Sequence, residues 1–134
     1  MILLDTNVVI RIVTGEGRIG PAARDLLDES GDLYCSVMVQ WEVAMLAQKG
    51  KVRLEMAVHV WLEQAAALLG YVEVPVSGEI ALDAGSLPGS IHGDPCDRIM
   101  IATARALACP LITTDREILD YAAAGHLKAI DARR

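Results

Sequence analysis

Ile2-Leu3-Leu4-Asp5-Thr6-Asn7 sets three consecutive aliphatic residues ahead of an aspartate and a threonine, and this stretch decides the fold. An unalternating apolar run suits a short strand buried on both faces, the habit of parallel sheets. Asp5 or Thr6 then suits a helix N-cap, so the chain turns from strand directly into helix. The same grammar recurs at Leu111-Ile112-Thr113-Thr114-Asp115. Ligands of open α/β sheets collect at the carboxyl ends of strands, so Asp5 and Asp115 are delivered to one edge.

Between these two stretches the pattern alternates. Helices are predicted over Asn7 to Val13, from Gly20-Pro21 through Ser30, over Met38 to Lys49 and over Glu55 to Leu69. Ser77 caps a short helix, and Asp94-Pro95 starts one that runs to about Ala108. Arg116 to Ala123 forms the last. Strands are predicted at Leu33 to Ser36, Tyr71 to Val74 and Lys128 to Ile130, with a glycine- and proline-bearing loop over Gly85 to Gly93. This order implies an α/β fold with a central parallel sheet covered by helices on both faces. At 134 residues and without a linker, residues 1–134 read as one domain.

Composition excludes several classes. No apolar run approaches the ~18 to 20 residues of a membrane helix, and Met1 leads straight into the strand with no leader pattern, so a cytoplasmic address is expected. Cys35, Cys96 and Cys109 are odd in number and lack CxxC spacing, so they read as reduced, mostly buried thiols. His59, His92 and His126 show no paired ligand spacing. A net charge of −6 argues against a general basic coat for nucleic acid, although bound divalent cations would offset part of it.

Five carboxylates carry the functional signal: Asp5, Glu42, Asp94, Asp97 and Asp115. Asp5, Asp94 and Asp115 each also suit an N-cap, and Asp94 could pair with Arg98 one helical turn on. Asp97 shares a helix face with Met100 and Ile101, which turns it toward the core. Glu42 sits on the apolar stripe between Val39 and Leu46, where an ionised carboxylate needs a cation, either a metal or an arginine such as Arg11 or Arg98. Hard oxygen ligands suit magnesium or manganese, and the chemistry that suits this set is phosphodiester hydrolysis. Thr6, Ser36 and Thr113 could fix the carboxylates or cap strand ends.

The segments Leu3 to Asn7, Trp41-Glu42-Val43-Ala44 with Gly50-Lys51, His92 to Ala104 and Leu111 to Asp115 resemble, in order, the PIN-domain ribonucleases, and specifically the VapC-type toxins of toxin–antitoxin pairs. The resemblance implies a three-layer α/β/α sandwich with Asp5, Glu42, Asp97 and Asp115 as the catalytic, metal-coordinating quartet for magnesium or manganese, supported by Asp94. It implies an endoribonuclease toxin acting on RNA, often tRNA or ribosomal RNA. It also implies a homodimer restrained by a VapB-type antitoxin whose C-terminal segment lies in a groove near the site. The helices holding Trp41, Met45, Trp61 and Leu62 are candidates for that groove or for a dimer seam. Arg11, Lys49, Lys51, Arg53 and Arg98 are candidates for phosphate contact. Asn7, Gln40 and Cys96 depart from the residues common in such relatives, a difference that bears on substrate choice.

Other readings compete. Gly15-Glu16-Gly17-Arg18-Ile19-Gly20 matches the dinucleotide-binding glycine pattern if Val8 to Val13 is a strand. An aspartyl-phosphate enzyme wants a second aspartate where Asn7 stands. A noncatalytic PIN-like scaffold that binds RNA or protein is the alternative with the same fold.

Overall fold

The computed structural model describes residues 1–134 and contains a five-stranded, all-parallel sheet flanked by seven helices. In chain order the elements are β1 (Ile2–Leu4), α1 (Thr6–Thr14), α2 (Pro21–Glu29), β2 (Leu33–Ser36), α3 (Met38–Gln48), α4 (Val58–Leu69), β3 (Val72–Val74), α5 (Gly78–Gly85), α6 (Pro95–Leu107), β4 (Leu111–Thr113), α7 (Arg116–Ala123) and β5 (Ala129–Asp131). The strand order is β3-β2-β1-β4-β5. The chain therefore steps outward from β1 to β3, returns to the other side of β1, and steps outward again. That reversal makes the carboxyl ends of β1 and β4 the switch point of the sheet, where such folds open a crevice.

Burial explains why the central strands read as unbroken apolar runs. Leu3, Leu4, Leu111 and Ile112 are fully buried, packed with Val8, Val9, Val39, Val43, Met100, Ile101 and Ile118. Both faces of β1 and β4 are covered, completing the expected three-layer α/β/α sandwich. At the edge, β3 exposes Val72 and Glu73. Cys35, Cys96 and Cys109 are buried and unpaired.

Three expectations change. The helix predicted from Glu55 starts at Val58, because Leu54 is drawn onto the core and residues 51–57 are used in reaching α4 from α3. The last strand is Ala129–Asp131, one residue later than expected, set by pairing of Ile130 with Ile112. Finally, Thr6–Thr14 is helical with Asp5 as its cap, so no strand precedes Gly15 and the dinucleotide-binding reading falls.

The glycine-rich loop has a packing role instead. The Gly20 amide donates to the Ala132 carbonyl at 2.8 Å and the Ala22 amide to the Arg134 carbonyl at 2.8 Å, so the start of α2 lies directly on residues 132–134. A Cβ on Gly20 would stand 2.0 Å from the Arg134 carbonyl carbon and 2.5 Å from the Arg133 carbonyl. Backbone cannot yield as a side-chain tip does. Gly20→Ala is expected to cost about 1–3 kcal/mol and to lower Tm by several degrees in calorimetry. An unchanged Tm would show that the two segments separate freely.

Candidate metal centre

The switch-point crevice is built by backbone pairing first. The Asp5 amide donates to the Ile112 carbonyl at 3.0 Å, which sets the end of β1 beside Thr113. The Thr113 hydroxyl donates to Asp5 Oδ2 at 2.6 Å and accepts from the Asp115 amide at 3.0 Å. The Thr6 amide donates to Asp5 Oδ1 at 2.8 Å. Asp5 is buried, with each carboxylate oxygen holding a hydrogen bond.

Capping and site geometry coexist at the other aspartates. Asp115 Oδ1 accepts from the Glu117 and Ile118 amides at 2.8 and 3.3 Å, an N-cap that draws on one oxygen only. Asp94 Oδ1 accepts from the Asp97 amide at 3.2 Å, with Pro95 in the first turn of α6. Asp97 follows the face of fully buried Met100 and Ile101, and its side chain is 15% exposed. Glu42 reaches in from α3, where Val39 and Val43 are buried, and Oε1 accepts from the Thr6 hydroxyl. Neither Arg11 nor Arg98 pairs with it.

The polar residues expected nearby divide. Thr6 and Thr113 hold acids, whereas Ser36 takes the capping alternative, its hydroxyl accepting from the Met38 amide at 3.1 Å. Arg98 forms no ion pair with Asp94, contrary to the spacing. Its guanidinium donates instead to the carbonyls of Ala84 at 2.8 Å and of Ile91 and His92 at 3.4 Å, tying α6 to the end of α5 and to the loop between them. Arg11 donates to the Arg18 carbonyl at 3.0 Å, and Lys49, Lys51 and Arg53 are exposed. Trp61 belongs to the core, while Trp41 is 56% exposed. A pocket of about 640 Å³ lies between α3 and α4, lined by Ala44, Val58, Leu62 and Tyr71 among others.

His92 is the residue that sequence spacing missed. Its Nε2 lies 3.2 Å from Asp97 Oδ2 and 2.9 Å from Glu117 Oε2. Ligand atoms of His92, Asp97 and Asp115 all fall within 4.8 Å of one another. Asp5 and Glu42 stand outside that trio, turned to the threonines. The one signal in the sequence was proximity: His92 precedes Asp94 by two residues.

No lysine or arginine pairs with Asp5, Glu42, Asp94, Asp97 or Asp115. Burial, followed by the charges of Asp5, Asp94, Asp115 and Glu42, pushes Asp97 up to about 8. Asp5 is also raised, by burial first and against the bonds from Thr113 and Thr6, and Glu42 is raised by burial against the Thr6 bond. Half-buried carboxylates without a counter-cation, one oxygen of Asp115 uncommitted, fit a hard divalent ion.

Fold and site together define an α/β/α protein with an acidic, metal-fitting centre at its topological switch point. A family model for the PIN domain matches residues 2–124, and the chain belongs to the PIN domain family. Ribonuclease VapC22 of Mycobacterium tuberculosis is 32% identical over 120 residues, which cover 90% of this chain and 91% of that protein. Among solved structures, VapBC2 from Rickettsia felis bound to a promoter DNA fragment shares the fold at a TM-score of 0.70 and 18% identity, covering 97% of this chain and 98% of that one. A toxin–antitoxin complex from Klebsiella pneumoniae does so at 0.68 and 23%, covering 98% of each chain.

Two outcomes follow from the electrostatics. Asp97 binds its proton more tightly folded, up to about 8, than at its ordinary 3.8. Its contribution to stability is therefore fully present below the lower value and lost as pH rises through the upper one. Metal-free protein is expected to show a Tm that falls between about pH 5 and about pH 8.5, less so in Asp97→Asn, with manganese restoring Tm at the higher pH. A flat profile in the metal-free protein would remove the charge crowding. Glu42→Gln keeps an acceptor for Thr6 and sheds a charge, so its metal-free Tm should equal or exceed that of wild type. A loss above about 2 kcal/mol would instead mark Glu42 as a structural anchor.

Proposed function

We propose that this chain is a divalent-metal-dependent endoribonuclease, the toxin component of a type II toxin–antitoxin pair, hydrolysing RNA phosphodiester bonds. The observation that carries this reading is the set Asp5, Glu42, Asp97 and Asp115 crowded at the switch point with no lysine or arginine to neutralise it. Similarity to Ribonuclease VapC22 supports the choice of RNA as substrate. Magnesium or manganese, when bound, supplies Lewis acidity toward the scissile phosphate and a water of lowered pKa.

The chain's own residues hold and orient. Asp97 and Asp115 face each other across the crevice and offer oxygens directly, while Asp5 is set by Thr113 and Glu42 by Thr6. Asp94 fixes the first turn of α6 and so the place of Asp97. With a net charge of −6, phosphate contacts are confined to local cations, for which exposed Lys49 and Lys51 and partly exposed Arg11 are suited. Arg98 keeps a scaffolding role.

The substrate class is structured RNA, tRNA or ribosomal RNA, and the partner a VapB-type antitoxin. Its C-terminal segment takes the groove between α3 and α4, lined by Ala44, Val58, Leu62 and Tyr71. A homodimer working as a single-domain protein in the cytoplasm completes the reading. No helix is long and apolar enough to cross a membrane.

Purified protein incubated with total cellular RNA and manganese should give discrete fragments, lost in EDTA and in Asp5→Ala. Asp97→Asn should fold as wild type yet lose at least about a hundredfold in cleavage rate, since even residues behind a ligand cost 10–100-fold. Cleavage by Asp97→Asn at the wild-type rate would remove Asp97 from the metal. No cleavage by folded, antitoxin-free wild type would favour a noncatalytic RNA- or protein-binding scaffold.

A further inference from the structure

His92 stands in the loop before α6, half-buried, and both of its ring nitrogens are engaged. Nδ1 accepts from the Asp94 amide at 3.2 Å. A neutral imidazole that accepts at Nδ1 carries its proton on Nε2. Nε2 lies 3.2 Å from Asp97 Oδ2 and 2.9 Å from Glu117 Oε2. The loop cannot swing easily, because Arg98 donates to the carbonyls of both Ile91 and His92. The backbone of Glu117 is fixed in turn, its amide donating to Asp115 Oδ1 at 2.8 Å. His92 thus stands in close polar contact with Glu117 in the first turn of α7 and with Asp97 in the first turn of α6.

We propose that His92 is a positioning residue of the metal centre: its Nε2–H, oriented by the Asp94 amide, aims the Asp97 carboxylate at the cation, and the imidazole is not itself a ligand. A metal on Nε2 would require the proton on Nδ1, where it would meet the Asp94 N–H donor head-on and forfeit that bond. A proton on Nε2, facing the ligating carboxylate, leaves the Asp94 bond to Nδ1 in place. Such a partner orients a ligand and raises its affinity for the metal. The assignment rests on the metal-dependent reading given above.

The test measures manganese binding, by electron paramagnetic resonance of free Mn2+, on wild type, His92→Ala and His92→Gln, with folding checked by circular dichroism. Glutamine carries an N–H donor at about the reach of Nε2. His92→Ala is expected to raise the Kd for Mn2+ about 10- to 100-fold, and His92→Gln to stay close to wild type. Spin-echo modulation on protein carrying 15N-histidine should show no strong nitrogen coupling to bound Mn2+. Wild-type affinity in His92→Ala, equal loss in both variants, or strong 15N coupling absent from His92→Gln would each overturn the role of His92. Failure of wild type itself to bind Mn2+ would overturn the metal-dependent reading and this assignment with it.

Discussion

The hydroxyl of Thr113 joins the two strand ends on which the site depends. It donates to a buried carboxylate at the end of β1 and accepts from the amide of the aspartate that starts α7. Asp5 and Asp115 are 110 residues apart in sequence, and this one side chain sets their spacing at the sheet edge. The pairing of the Asp5 amide with the Ile112 carbonyl makes the contact possible, so the register of two central strands is what positions the first two acids. A buried carboxylate needs compensation, and Asp5 receives it from neutral donors alone.

That choice of donor has a functional sense. An arginine partner would satisfy an acid permanently and leave it unavailable, whereas hydroxyl and amide donors orient oxygens without cancelling their charge. Burial and mutual repulsion then raise Asp5, Glu42 and Asp97, the arrangement that a hard divalent cation fits. Under the proposed reading, the crowding that raises these carboxylates is also what a bound divalent cation would relieve.

Helix capping and metal binding are compatible at the same residue because a carboxylate has two oxygens. Asp115 spends Oδ1 on two backbone amides of α7 and retains Oδ2. Asp94 remains a cap, and its work is felt through the position of Asp97. Arg98, placed by spacing to answer Asp94, is drawn to one carbonyl at the end of α5 and two of the loop that precedes α6. Unpaired carbonyls in a half-buried loop are costly, and a planar guanidinium serves several at once.

Local chemistry made much of this legible from sequence alone. The unbroken apolar runs of β1 and β4, the aspartate caps of α1, α6 and α7, and the acids at strand ends are set within a few residues of one another, and each appears where the sequence places it. Element ends were less legible, as at Val58, where the pull of Leu54 on the core outweighs local helical pattern. Only the tertiary structure decided which groups meet across long separations: His92 with Glu117, Thr6 with Glu42, and Gly20 with the backbone of Arg133 and Arg134. Those contacts depend on how loops settle onto a finished sheet, and residue spacing along the chain carries no record of that.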